Sequence, residues 1–219
     1  MPRTPRFPAL LAFIAAFSSF GVAAEANAPA TLEAVTHAPH AFVIKDLRWA
    51  EGASGGAIRW VPAGTAADFK VLRAEEALAR RAAGEALKAV FVVSRQASDY
   101  HLLVVREDFL ANRPEMVESV VGMYERARRW LIAHPLEAAA LVAQETGGSA
   151  SAAQAALAGR EFNVSRPGPA LAQALRTSAN SVRSAQVDAL LDDGPMRAAT
   201  RKLEQGPQPV PQPVIVSLR

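Results

Sequence analysis

Two runs of apolar residues, Ala89 to Val93 and His101 to Val105, restrict this chain more than any other feature. Both are rich in Val and Leu, and no polar residue breaks the centre of either. Such strands are covered on both faces, as in the middle of an α/β sheet; a strand with one wet face would alternate. Helices must supply both covers. The means are abundant: 47 of the 219 residues are Ala, the best helix former, which weights the chain away from an all-β fold.

The rest of the chain fits that demand. Thr31 to Thr36 alternates and reads as a short strand. A loop with His37, Pro39 and His40 leads into a helix over Ala41 to Trp49. Ser54-Gly55-Gly56 is turn chemistry, and Ile58 to Val61 reads as a second strand closed by Pro62. Gly64-Thr65 then precedes a helix expected from Ala66, with Thr65 as its N-cap. Glu75 to Leu87 is read as a helix weakened by Gly84. Beyond Glu107 everything is helical: Met116, Val117, Val120, Val121, Tyr124, Ala127 and Leu131 form one buried stripe behind Pro114. Pro135 starts the next helix, Gly147-Gly148 ends it, and Ser149 caps another over Ala150 to Gly159. Leu171 to Ala179 and Ser184 to Leu191 complete the helical half.

Both ends of the chain have a different character. Arg3 and Arg6, an apolar run from Ala9 to Phe20 and small residues to Ala24 make a secretory signal peptide over 1–24. The run has 12 residues, short of the roughly 20 that span a bilayer, so no integral membrane protein is expected after its removal. The remaining 195 residues hold 22 basic and 21 acidic side chains, which offers no electrostatic footprint for nucleic acid. There is no Cys, hence no disulfide framework, thiolate metal site or Cys nucleophile. Residues 204–219 form a Pro-rich, extended tail. Between leader and tail, 31–203 reads as a single α/β lobe, with 31–96 its strand and helix part and 97–203 a returning strand plus helices.

Two stretches carry a family resemblance. Thr31 to Ala74, TLEAVTHAPHAFVIKDLRWAEGASGGAIRWVPAGTAADFKVLRA, resembles the opening of periplasmic solute-binding proteins of ABC importers, of the aliphatic sulfonate, taurine and nitrate class. Asp99 to Gly168, with YHLLVVREDFLANRPE, YERARRWLIAHPLEAAALVAQETG and REFNVSRPG, is similar to the C-terminal part of that family. The resemblance implies a type II periplasmic-binding-protein fold, shortened. Family members are longer and clamp the ligand between two lobes; here the outgoing strand, Ala89 to Val93, meets the returning one, His101 to Val105, after a short connection. The second lobe is therefore expected to be largely missing. A further strand of the family is cut between Ala74 and Leu87. Four strands must then close a gap: either the sheet re-forms as second, first, returning, outgoing strand, or the lobe packs poorly.

The resemblance also places a site. An oxyanion sits against loop and helix-start N–H groups, where unpaired donors and the helix dipole favour negative charge. The matching positions are Thr36, His37 and His40 in the first loop, and Gly64 and Thr65 in the turn. The competing assignments are a helix cap for Thr65 and a surface residue for His40. His37 and His40 form an H-x-x-H pair without a third ligand beyond Asp46, so no metal and no cofactor is expected. Arg126, Arg128 and Arg129 read as a solvated face, with Glu125 and Arg129 a weakly favourable pair, and His101 and His134 as structural. No nucleophile elbow, phosphate loop or carboxylate pair points to an enzyme. The resemblance thus implies an exported, periplasmic solute-binding component of an ABC importer. Its partners would be a small anionic solute and an ABC permease, with binding weakened by the missing jaw. The alternative is a periplasmic helical interaction module that no longer binds solute, with a second copy in a homodimer as its possible partner.

Overall fold

The computed structural model describes residues 28–34, 38–50, 58–178 and 181–206. The leader at 1–24 and the Pro-rich residues from 207 onward lie outside them, as do Thr36 and His37.

Five strands form one sheet among the described residues: β1 (Ala30–Ala34), β2 (Ile58–Pro62), β3 (Phe69–Arg73), β4 (Leu87–Gln96) and β5 (Asp99–Arg106). Their order is β2-β1-β3-β5-β4. β1 runs parallel to both β2 and β3, whereas β3–β5 and β5–β4 are antiparallel. The expected juxtaposition holds: outgoing β4 and returning β5 lie side by side, joined by the two-residue turn Ala97-Ser98 between the paired Gln96 and Asp99.

One expectation fails here. No helix starts at Ala66; after a short turn the chain forms β3, so Thr65 caps nothing. The reason is tertiary. β3 fills the gap that four strands would have left, bonding β1 on one side and β5 over five residue pairs on the other. Those ladders outweigh the local helix preference of Ala66-Ala67. The sheet therefore keeps the order second, first, returning, outgoing, with a fifth strand in its middle. A clasp fixes that strand: the Thr31 N–H and hydroxyl both donate to Asp68 Oδ2 (2.9 and 2.7 Å), and the Asp68 N–H donates to Thr31 Oγ1 (2.9 Å).

Helices cover both faces, as the apolar runs demand. On one face Leu32, Phe69, Val71, Phe91, Leu103 and Val105 pack against α1 (Pro39–Asp46), α4 (Pro114–Ala133), α5 (Pro135–Thr146) and α10 (Gly194–Gln205). On the other, Leu72, Val92, Leu102 and Val104 meet α2 (Ala74–Ala82), α7 (Pro169–Ser178) and α9 (Val187–Leu190). The remaining helices are α3 (Glu107–Asn112), α6 (Ala150–Ala158) and α8 (Ser181–Ser184). Successive residues of β5 thus enter opposite cores, the period of two expected of a pleated strand. Helix ends differ modestly from the sequence reading. α2 stops at Ala82 and leaves Leu87 to β4, residues 181–190 make two short helices, and Glu204 and Gln205 belong to α10 rather than to the tail. Gly147 ends α5 with φ +68°, and the Ser149 hydroxyl accepts from the Ala152 N–H at the start of α6, both as read from sequence. The outer edge of β4 is not left open: Val92 and Arg95 bond the backbone of Ser165 and Glu161, and Asp192 bonds Ala89.

The β4–β5 turn is poorly suited to its sequence. Ala97 has φ +53° and Ser98 does not share the positive sign, a pattern in which glycine is favoured at the first position. Exposed Ala97 therefore bears a left-handed backbone that its Cβ disfavours. Arg95 holds the tip from its side, donating to the Ala97 carbonyl at 2.8 Å and lying over Tyr100. Ala97→Gly is expected to stabilise the fold by about 0.5–1 kcal/mol, read as a raised urea midpoint at unchanged m-value. A lowered midpoint would contradict this turn.

Candidate functional site

In an open α/β sheet, ligands bind outside the carboxyl ends of parallel strands, where the connections diverge to either side. Here that point is the end of β1, whose parallel neighbours are β2 and β3. The turn after β2, with Gly64 and Thr65, lies at this edge. Thr36 and His37 lie outside the described residues; His40, Gly64 and Thr65 can be placed.

Gly64 lies in the turn with φ +80°, and the Thr65 N–H closes that turn on the Pro62 carbonyl (3.1 Å). Both residues are exposed. The Gly64 N–H, however, already has an acceptor: Glu33 Oε1 at 2.5 Å. Parallel pairing of β1 and β2 sets Glu33 opposite Val61, so its side chain reaches the turn directly. Glu33 was not among the expected residues. The signal for it is an acid embedded in a strand whose neighbours Leu32 and Ala30 are buried, and Glu33 itself is 9% exposed. A carboxylate thus takes the donor that the resemblance reserves for an oxyanion.

His40 is neither a surface residue nor a donor at the loop. It occupies the first turn of α1 and is fully buried. Its ring stacks on Tyr124 (5.9 Å between centroids) and meets Phe91 and Phe162 edge-on at 6.0 and 5.5 Å. Among the described residues neither ring nitrogen has a hydrogen-bond partner. Burial, reinforced by the positive charges of Arg128 and Arg160, lowers its pKa to about 3. The ring is a neutral core group.

The arginines of α4 also depart from expectation. Arg128 is not solvated: it is 16% exposed, grips Glu125 through Nε and Nη2 (2.6 and 2.7 Å), and donates to the Phe162 carbonyl (3.2 Å). Arg129 adds a third bond to Glu125 at 2.8 Å while remaining half exposed. Glu125 is 2% exposed; burial by itself would raise its pKa, but the two arginines hold it below the ordinary carboxylate value. Sequence spacing shows the pair but not its burial, which follows from the 162 loop closing over α4. His134 bonds the Trp130 carbonyl and stacks on the Trp130 ring, a structural role as expected. Among the described residues no helix is long and apolar enough to cross a membrane.

Neither family models nor curated proteins match this chain. Solved structures do. The periplasmic aliphatic sulphonate-binding protein SsuA of Escherichia coli superposes with a TM-score of 0.60 at 10% identity, over 74% of this chain and 87% of that one. The alkanesulfonate-binding protein SsuA of Xanthomonas axonopodis pv. citri, solved with MOPS bound, gives 0.59 at 12% identity over 74% and 92%. A Bordetella bronchiseptica RB50 protein gives 0.59 at 9% over 81% and 98%. The chain has, in part, the type II periplasmic-binding-protein fold of these proteins.

Two predictions come from the charged core. Glu125→Ala strands Arg128 and is expected to cost about 3 kcal/mol of stability, against less than about 1 for Arg129→Ala, by denaturant unfolding. Equal costs would mean that Arg128 is free to reach water. For His40 the sign follows from its depressed pKa. Below pH 6.5 the unfolded chain protonates this ring and the folded chain does not, so stability falls with acidification toward about pH 3. The slope reaches about 1.4 kcal/mol per pH unit. His40→Phe should remove that slope, so the stability difference between the two proteins must change steadily from pH 6.5 to 4.5. Parallel curves would show that His40 is solvated.

Proposed function

We propose that this chain is an exported, periplasmic solute-binding component of an ABC importer for a small oxyanion, such as an aliphatic sulfonate, taurine or nitrate, with weakened binding. The likeness to two sulfonate-binding proteins along most of the chain carries this reading. The parallel end of the sheet supports it: the exposed Gly64-Thr65 turn follows β2 beside the carboxyl end of β1. The solute and an ABC permease would be its partners, and the leader at 1–24 would direct its export. Weak binding follows from the hairpin. Strands that would lead to and from an opposite lobe are joined by two residues, and an open lobe cannot bury most of a ligand's surface.

One observation favours a second reading, a periplasmic interaction module that no longer binds solute. The Glu33 carboxylate bonded to the Gly64 N–H repels an anion where the site would need a donor. Calorimetry with taurine, alkanesulfonates, nitrate and sulfate separates the two. The first reading expects affinity near millimolar, tightened about tenfold by Glu33→Gln, which removes one nearby negative charge. No heat from either protein would leave the second reading standing. Low-micromolar affinity in the parent chain would overturn the argument from a single lobe.

A further inference from the structure

α4 and α10 border an open groove of about 320 Å³. Trp49 and Trp130 form its aromatic walls, Arg126 and His134 lie along it, and Leu203 and Gly206 close one side. Two donors of this groove, the Arg126 guanidinium and the Trp49 indole N–H, have no acceptor among the described residues. Arg126 lies over the Trp49 ring at 4.5 Å and has no carboxylate or hydrogen-bond partner among the described residues. Burial lowers the pKa of Arg126, so its guanidinium is already partly withdrawn from water. On the same wall Trp49 is 5% exposed, and its indole N–H has no acceptor. Next to Ala133 and His134 in sequence, Ile132 and Leu136 are the large apolar side chains left exposed among the described residues, at 51% and 67%.

We propose that the groove is the docking site for the chain's own Pro-rich segment, residues 207–219, folded back in cis. Proximity selects this occupant. Gly206 lines the groove and leaves α10 in an extended conformation (φ −120°, ψ 138°), as a residue before proline must. The segment that follows, PQPVPQP, starts at the groove's rim. In a polyproline helix it spans about 20 Å, at about 3.1 Å per residue.

Chemistry selects the same occupant. Four of those seven residues are proline, which has a carbonyl but no N–H, so the segment is mainly an acceptor with flat apolar faces. The groove presents the complement: aromatic faces and an unfilled guanidinium fork. Pre-set polyproline chain docks on such surfaces at low entropic cost. Beyond it, Val214-Ile215-Val216 supplies the apolar cover that Ile132 and Leu136 lack. No acid occurs from Gly206 to Arg219, so stacking and carbonyl contacts, not ion pairing, would hold the segment.

The test uses a Trp60→Phe background, in which the two groove tryptophans are the only indoles. The full chain is compared with a chain stopped after Gly206, and with a full chain carrying Pro207, Pro209, Pro211 and Pro213→Ser, folding being checked by circular dichroism. Both altered chains should show red-shifted emission and greater acrylamide quenching. A synthetic 207–219 peptide should reverse this in the stopped chain, saturably, with affinity of about millimolar, as suits a contact held by a tether. Arg126→Ala should weaken that rebinding about tenfold, the loss expected for hydrogen bonds to a charged donor. Should the stopped chain fail to fold, the serine-substituted chain carries the comparison alone. Unchanged quenching in the altered chains overturns the proposal. So does equal protection of the indoles by benzenesulfonate in the intact chain, which would make the groove an open anion site. Protection that vanishes as a dimer dissociates on dilution also overturns it, because the segment would then reach a second copy.

Discussion

β3 holds together two halves of a sheet that would otherwise be incompatible. β1 and β2 run parallel, β4 and β5 form an antiparallel hairpin, and a strand between them must satisfy a ladder of each kind. β3 pairs with β5 along its whole length, and among the described residues it registers with β1 at Leu32 and Phe69. The β1 side is where the Thr31–Asp68 clasp sits, with three hydrogen bonds between strand starts. Once β3 is fixed, both cores follow, because Phe69 and Val71 enter one and Leu72 the other.

The distribution of acceptors tells how the lobe is tuned. At the strand ends and inside α4, carboxylates have taken up the available donors: Glu33 the Gly64 N–H, and Glu125 the forks of Arg128 and Arg129. A buried charge is tolerated when paired and bonded, and Glu125 meets both conditions. Such sites are internally closed and gain little from an added anion. Arg126, one residue further along α4, differs because it points toward Trp49 instead of toward an acid. The helix therefore carries a satisfied cluster on one side and unfilled donors on another.

Much of this fold was legible because two signals were strong. Uninterrupted apolar runs announced strands buried on both faces, and their closeness in sequence announced a hairpin; Leu102 to Val105 and Val90 to Val93 bear out both. Proline at the starts of α4 and α5, Gly147 at an end and Ser149 as a cap marked the helical half to within a few residues. β3 was missed because Ala66-Ala67 and a Thr cap are locally helical, while its strand character comes from neighbours far along the chain. His40 was misplaced for a related reason. In sequence it sits beside a polar loop, and only packing of Phe91, Tyr124 and Phe162 around it turns it inward. The role of Glu33 is not legible in the sequence because its partner, the Gly64 N–H, lies across a strand pair. Local patterns are readable when the determining contacts are local.

The hairpin has a consequence for how such a lobe can signal. A two-lobed binder reports its ligand because closed and open states differ in affinity for it, and the ligand can shift that balance only by the difference. Joining β4 to β5 by two residues removes the second body whose movement would supply the difference. An anion at the end of β1 would then meet one arrangement of the lobe, liganded or not. Recognition by any partner would have to read the bound anion itself or a local ordering of the loops, and local ordering is worth little unless the loop was costly to order in the first place. The Ala97 turn thus joins the two strands directly, with no second body between them.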